Sequence, residues 1–122
     1  MVRNRIILVI EQETSIAEGL KSILEKEGYS VISVYTSRHL KEIFKERGPD
    51  LAIININLPK KFGLNILRKT KELFPKIPLI AMSGYSNPLS ANELKRLGAS
   101  EFITKPFNVE SLKSKIGQLF RR

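Results

Sequence analysis

Residues 6–28 read IILVIEQETSIAEGLKSILEKEG, and this stretch decides the fold. Its first five residues are continuously apolar, which is typical of a strand that is covered on both faces. Over 14–27 the apolar residues recur at the spacing of one helix face, with Thr14 or Ser15 available as the N-terminal cap. Gly28 follows at the position where helices commonly end in a left-handed residue. The stretch therefore predicts one β–α unit.

The same alternation of apolar runs and helical spacing continues to the end of the chain. Strands are predicted at 30–35, 51–56, 79–82 and 102–104, and helices at 37–47, 63–73, 88–97 and 108–120. Asn108 is the expected cap of the last helix. This alternation favours the α/β class, with a mostly parallel five-stranded sheet and helices on both faces. We find no repeat, linker or low-complexity segment, so we expect a single domain over 1–122, which can equally be the first part of a longer protein.

Composition narrows the function classes. The chain has 122 residues and no cysteine, which excludes disulfide scaffolds, thiol catalysis and thiolate zinc sites. Its apolar start is only five residues long, too short for a signal peptide, and no stretch approaches the ~20 residues of a membrane span. We therefore expect a soluble, cytoplasmic protein that does not bind membranes.

The chain has 21 Lys+Arg and 12 Asp+Glu, and its formal net charge of +9 suggests nucleic acid as a class of partner. The lysines and arginines are scattered over several predicted helices, however, and no helix-turn-helix pattern or zinc-finger spacing is present. We expect a solvated basic surface, and nucleic acid is not the favoured partner. His39, at the start of a predicted helix, is expected to be a surface residue without a special role.

Polar side chains follow four of the predicted strands where each strand ends. They are Glu11, Gln12 and Glu13 after the first strand, Asn55 and Asn57 at the third, Ser83 after the fourth and Lys105 after the fifth. In open parallel α/β sheets, binding sites form beyond the carboxyl ends of the strands. These residues are therefore the candidate site.

Several segments carry a family resemblance that covers the whole chain. They are ILVIEQE at 7–13, PDLAIIN at 49–55, Leu58-Pro59 with Gly63, IAMSG at 80–84 and GASEFITKPF at 98–107. With these segments the chain resembles the response-regulator receiver domain of bacterial two-component signalling. The resemblance implies the flavodoxin-like receiver fold with strand order 2-1-3-4-5 and a role in signal transduction. It implies no enzymatic activity.

The resemblance also implies roles for the residues at the strand ends. In the family, an aspartate at the position of Asn55 accepts a phosphoryl group, and acidic side chains at the positions of Glu11 and Gln12 help it to hold Mg²⁺. Ser83 and Lys105 match the hydroxyl and the lysine that contact the phosphoryl oxygens.

Two further positions follow from the same resemblance. Phe102 matches the aromatic side chain that reports the switch in the family. A cis peptide bond before Pro106 is usual in the family and would shape the loop.

The chain departs from the family at the acceptor and at one metal position. The amide of Asn55 carries no negative charge and cannot form an acyl phosphate, and Gln12 supplies no carboxylate for a hard cation. Asp50 is the only aspartate, and it lies roughly 16 Å from Asn55 at the other end of the strand. We therefore expect no cofactor and weak or absent Mg²⁺ binding. Glu11 and Lys105 can form an ion pair across this degenerate pocket or can each be solvated.

The leading hypothesis is an atypical receiver that is not phosphorylated and acts by binding a protein. A histidine kinase, an output domain or another regulator could be that partner, and the chain could be the N-terminal part of a longer regulator. The expected surface, also suited to a homodimer, combines the helix over 88–97, the strand over 102–104 and the helix over 108–120. Its residues include Lys95, Arg96, Phe102, Ser111, Lys115 and Gln118.

Three alternatives remain open at this point. The chain could be an ordinary phosphoryl-accepting receiver of a phosphorelay whose acceptor has been replaced by Asn55, although Gln12 would require a second replacement. It could be a basic nucleic-acid-binding module, which would bind less tightly as salt increases. A flavin protein of similar topology is disfavoured, because Glu11 and Glu13 would repel the flavin phosphate.

Overall fold

The computed structural model describes residues 4–35, 40, 42, 48–56, 60–84 and 91–121; the side chains of 60–64 and 91 are outside this description. The strands are β1 (Ile6–Ile10), β2 (Ser30–Val34), β3 (Leu51–Asn55), β4 (Leu79–Gly84) and β5 (Glu101–Lys105). The helices are α1 (Thr14–Lys26), α2 (Lys60–Leu73), α3 (Ala91–Arg96) and α4 (Val109–Phe120). Of the helix predicted at 37–47, only Leu40 and Glu42 are described, and both are helical. His39 and Asn57 lie outside the described residues.

The five described strands form one parallel sheet in the order β2-β1-β3-β4-β5. This order confirms the predicted fold class. Every residue of β1 and of β3 is buried, because helices cover both faces of the central strands, and the unbroken apolar run of β1 predicted this burial. The domain limits of 1–122 stay a prediction.

The core lies in two layers, one on each face of the sheet. On one face, Leu67 of α2 and Leu94 of α3 are fully buried against alternate side chains of β1, β3 and β4. On the other face, Leu20 of α1 and Ile116 of α4 are buried against the remaining alternate side chains. α2 and α3 therefore share one face of the sheet, and α1 and α4 share the other.

The cap predicted for α1 is wrong. Glu13, with extended backbone angles (φ −79°, ψ 112°), is the N-cap, and no side-chain hydrogen bond caps this helix. Thr14 and Ser15 already lie inside the first turn, because the chain enters the helix directly after the loop that follows β1. The predicted cap of α4 is confirmed, since Asn108 Oδ1 accepts from Ser111 N–H at 3.0 Å.

Two strands are longer than their apolar runs predicted. The strand predicted at 79–82 extends to Gly84, and the one predicted at 102–104 extends from Glu101 to Lys105. The reason is backbone pairing, because Ser83 aligns with Thr104 and Gly84 with Lys105 in the ladder between β4 and β5. This extension carries Lys105 to the edge of the sheet where the candidate site lies.

Asp50 lies at the opposite edge of the sheet. Its Oδ2 accepts a hydrogen bond of 2.8 Å from the backbone N–H of Ile6, at the start of β1. The carboxylate thus joins the starts of β1 and β3 and is a structural group at the amino edge, as its place in the sequence predicted.

Candidate functional site

The candidate site is built by the register of neighbouring strands. Ile10 aligns with Ile54 in the β1–β3 ladder, so Glu11, which follows β1, lies level with Asn55 at the end of β3. The backbone N–H of Glu11 donates to Val34 O of β2 at 3.1 Å, which fixes the chain where it leaves the sheet. Glu11 and Asn55 therefore contact each other although 44 positions separate them in the chain.

Glu11 is a buried carboxylate, with 1% of its surface exposed. Its Oε1 accepts from Asn55 Nδ2 at 3.0 Å and from the backbone N–H of Glu13 at 3.2 Å. Its Oε2 lies 3.5 Å from Lys105 Nζ. A carboxylate taken out of water must gain such donors, because an unpaired buried charge is very unfavourable. Both oxygens of Glu11 thus have donors from the protein itself.

Lys105 supplies the positive charge of this cluster. It is the last residue of β5, and its side chain is 19% exposed. From this edge strand it reaches the Glu11 carboxylate across the ends of β4 and β3. In the structure, Glu11 and Lys105 therefore form an ion pair and are not solvated separately. We call Glu11, Asn55 and Lys105 the carboxyl-edge network. The bond between Lys105 and Pro106 is cis, as the resemblance implied.

Asn55 is also buried, and its orientation is fixed by chemistry. An ionised carboxylate has no proton to donate, so the NH₂ group of Asn55 must face Glu11 Oε1. An aspartate in this place would instead bring a second carboxylate oxygen to about the same distance from Glu11. The amide lets this buried corner of the sheet close with one negative charge and one positive charge.

The other predicted site residues are placed around the carboxyl-edge network. Ser83 is buried one position beyond Met82, which aligns with Asn55. Gln12 is exposed and Phe102 is half-buried against the core on the α2–α3 face. The match of these residues to phosphoacceptor, metal, hydroxyl and switch positions stays a prediction.

The face that was predicted to bind a partner is formed by α3, β5 and α4, and binding at this face stays a prediction. A groove on this face is lined by Leu94, Lys95, Ala99, Glu101, Phe102 and Lys115. Glu101 Oε1 and Lys115 Nζ, 3.3 Å apart, form an ion pair that joins β5 to α4. Glu101 was not among the residues predicted for this face, because it lies directly before the strand predicted at 102–104.

None of the helices in the described ranges is both long and apolar enough to cross a membrane.

A parallel sheet in the order 2-1-3-4-5, with a carboxylate and a lysine that meet at its carboxyl edge, is typical of the receiver class of α/β proteins. The model of the family described as response regulator receiver domain matches residues 7–117. The chain belongs to this family, the receiver domains of two-component systems.

Two curated relatives show the same family. The transcriptional regulatory protein DltR of Streptococcus agalactiae is 34% identical over 110 residues, which are 90% of this chain and 49% of DltR. The aerobic respiration control protein ArcA of Escherichia coli is 34% identical over 116 residues, which are 95% of this chain and 48% of ArcA. The chain thus spans about half the length of the curated relatives it matches.

Solved structures agree with the fold. A CheY-like receiver domain protein from Methanospirillum hungatei has a TM-score of 0.84 at 30% identity, covering 95% of this chain and 93% of that protein. NtrX from Brucella abortus, in a complex with ADP, has a TM-score of 0.87 at 27% identity, covering 98% of this chain and 27% of NtrX.

Proposed function

We propose that this chain is an atypical receiver domain that accepts no phosphoryl group at Asn55 and acts in signal transduction through protein–protein interaction. The observation that carries the proposal is the hydrogen bond of 3.0 Å from Asn55 Nδ2 to Glu11 Oε1. It places an amide, already engaged as a donor, where the family resemblance implies the phosphoacceptor. A cytoplasmic location and the lack of enzymatic activity belong to the same proposal.

The chemistry of the acceptor supports this reading. Phosphoryl transfer in the family forms a mixed anhydride on a carboxylate oxygen, which attacks as an anion. The side-chain oxygen of Asn55 belongs to a neutral amide and is a poor nucleophile. Asp50 cannot replace it, because its carboxylate is hydrogen-bonded to Ile6 N–H at the opposite edge of the sheet.

The side chains at the carboxyl edge are poor ligands for the Mg²⁺ ion that the family uses. Mg²⁺ prefers carboxylate oxygens and releases its water reluctantly. In the carboxyl-edge network there is one carboxylate, Glu11, and both of its oxygens have protein donors, one of them the ammonium group of Lys105. Over the part of the chain that the structure describes, no group of three His, Cys, Asp or Glu residues could hold a metal ion.

The ammonium group of Lys105 supplies the positive charge that a bound metal ion would otherwise supply beside Glu11. Its tethered charge neutralises Glu11 whether or not a metal is present, so the network has no need of a ligand to close. A domain that accepts no phosphoryl group is not switched by phosphorylation. Signalling would then depend on which protein binds the domain and on the state that this protein favours.

The face of α3, β5 and α4 is the partner surface that we propose. Its groove combines the half-buried ring of Phe102 with the charges of Lys95, Glu101 and Lys115. A histidine kinase, another regulator, an output domain or a second copy of the chain are the proposed partners. An output domain is supported by DltR, which is named as a transcriptional regulatory protein and is twice as long as the matched region.

An ordinary phosphoryl-accepting receiver is the second candidate, and it is favoured by the regulators among the relatives. It requires that Asn55 replaces an aspartate of the natural sequence. Gln12 would need the same explanation, so two positions would have been replaced. The sequence of the source gene at these two codons decides between the candidates.

A phosphodonor test addresses the proposal directly. Incubation with acetyl phosphate and MgCl₂, followed by intact-mass spectrometry, should leave the mass unchanged. The matched control is the Gln12→Asp/Asn55→Asp double variant, which restores both carboxylates and should gain a hydroxylamine-sensitive phosphoryl adduct. An adduct of this kind on the unmodified chain would overturn the proposal.

A further inference from the structure

Six cationic side chains belong to α2, to the turn that follows it and to α3, and we call them the α2–α3 basic surface. They are Arg68, Lys69, Lys71, Lys76, Lys95 and Arg96. Within the described part of the chain, none of them forms an ion pair. On the opposite face the pattern differs, because Lys113 pairs with Glu27 and Glu110 at 3.7 and 3.5 Å.

The fold brings the two helices that carry most of these cations side by side. β3 and β4 are neighbours in the sheet, so the helices that follow them pack side by side on one core layer. Lys71 of α2 lies across the end of α3, where a Cβ at Gly98 would stand only 2.9 Å from Lys71 Cγ. The absence of a side chain at Gly98, which has φ +114°, permits this approach.

The charge of the domain is therefore uneven. Residues 65–97 carry the six cations and only Glu72 and Glu93 as acidic residues. Residues 13–27, which include α1, carry two lysines and four glutamates. Residues 65–97 thus carry a net charge of +4, against −2 for residues 13–27, so the α2–α3 side is more positive than α1.

The chemistry of the α2–α3 basic surface favours a polyanion over a folded protein. Protein interfaces require a desolvated apolar centre, whereas interfaces with nucleic acid are polar and strongly positive. The large apolar side chains that are exposed in the described ranges are Tyr35 and Val109, and neither lies on α2 or α3. The surface thus offers many charges and little apolar area.

We propose that the α2–α3 basic surface binds the phosphate backbone of nucleic acid without reading its sequence. This inference revises the expectation from the scattered cations, and its surface shares Lys95 with the groove proposed for the protein partner. With about four phosphate contacts, the affinity for duplex DNA should fall roughly 100-fold between about 50 and 200 mM salt.

The test compares two double variants that remove the same charge from opposite faces. Arg68→Gln/Lys76→Gln acts on the α2–α3 basic surface, and Lys21→Gln/Lys26→Gln acts on α1. All four side chains are exposed. Binding to a fluorescein-labelled DNA duplex is followed by fluorescence anisotropy at rising salt concentration, and circular dichroism confirms that each variant is folded.

The expected result is a difference between the two faces. The Arg68→Gln/Lys76→Gln variant should bind more weakly, and its affinity should fall only about 10-fold over the same salt range, because about two contacts remain. The Lys21→Gln/Lys26→Gln variant should behave like the unmodified chain. Equal losses in both variants, or no binding at the lowest salt, would overturn the proposal. A polyglutamate peptide of the same charge that binds more tightly than DNA would reassign the surface to an acidic protein.

Discussion

Asn55 Nδ2 donates to Glu11 Oε1 across 3.0 Å, and this bond joins the ends of two neighbouring strands inside the protein. Lys105 Nζ completes the arrangement at 3.5 Å from the other oxygen of the same carboxylate. The carboxyl edge of the sheet, where a receiver of this fold has its reactive pocket, is therefore closed by three side chains that satisfy one another.

Removal of Lys105 should destabilise the domain, because the Glu11 carboxylate would lose its counterion while it stays buried. We expect Lys105→Met to lower the free energy of unfolding by about 1–3 kcal/mol, less than for a fully buried pair, since the lysine is partly exposed. Urea unfolding measures the change.

The control for this prediction is Lys113→Met, whose ion pairs with Glu27 and Glu110 are exposed and should contribute less than about 1 kcal/mol. The Glu11→Gln/Lys105→Met double variant should be less destabilised than the sum of its single variants. Additive effects would show that Glu11 and Lys105 do not interact.

Much of the fold was predictable because each signal is local. The apolar runs of β1 and β3 reflect helices on both faces of the sheet, and Gly28 and Gly98 both have the positive φ with which helices commonly end. The cap of α1 was not predictable from residue preference alone, because it depends on how the chain leaves β1. Glu13 takes the cap position without any side-chain bond.

The site was predictable in its members but not in its contacts. Glu11, Asn55 and Lys105 were predicted because they lie at the ends of strands. Whether Glu11 and Lys105 form an ion pair or are solvated depends on strand register, which the sequence does not show. The α2–α3 basic surface was missed for a similar reason. The two helices that carry most of its cations lie side by side only because β3 and β4 are adjacent in the sheet.

Asn55→Asp should create a requirement for a divalent cation. The new carboxylate would face Glu11 at about the present bond distance, and Lys105 alone cannot neutralise both charges. Without divalent ions, the variant should unfold at a lower temperature than the unmodified chain.

The response to added Mg²⁺ should distinguish the Asn55→Asp variant from the unmodified chain. Added MgCl₂ should raise the melting temperature of the Asn55→Asp variant, because a ligand that binds only the native state stabilises it. The unmodified chain should show no comparable rise. Equal stabilisation of both, measured by differential scanning fluorimetry with matched ionic strength, would mean that Asn55 does not control metal binding.

Gly98 and Gly28 provide a matched pair for testing the contact between α2 and α3. Both have positive φ, but a Cβ at Gly28 meets nothing within 4 Å, whereas one at Gly98 would meet the side chain of Lys71 at 2.9 Å. Gly28→Ala should cost about 1–2 kcal/mol from backbone strain alone. Gly98→Ala should cost more in chemical denaturation, and Lys71→Ala should remove the excess. Equal costs would show that Lys71 does not lie against Gly98.

The most direct test of the central claim is an amide NMR titration with Mg²⁺ and then with beryllofluoride, which mimics an aspartyl phosphate. A silent pocket predicts no saturable shifts at Glu11, Asn55, Ser83 or Lys105 in the unmodified chain. Shifts at these residues that saturate and extend to Phe102 would show that the pocket still binds and switches, and would contradict the account.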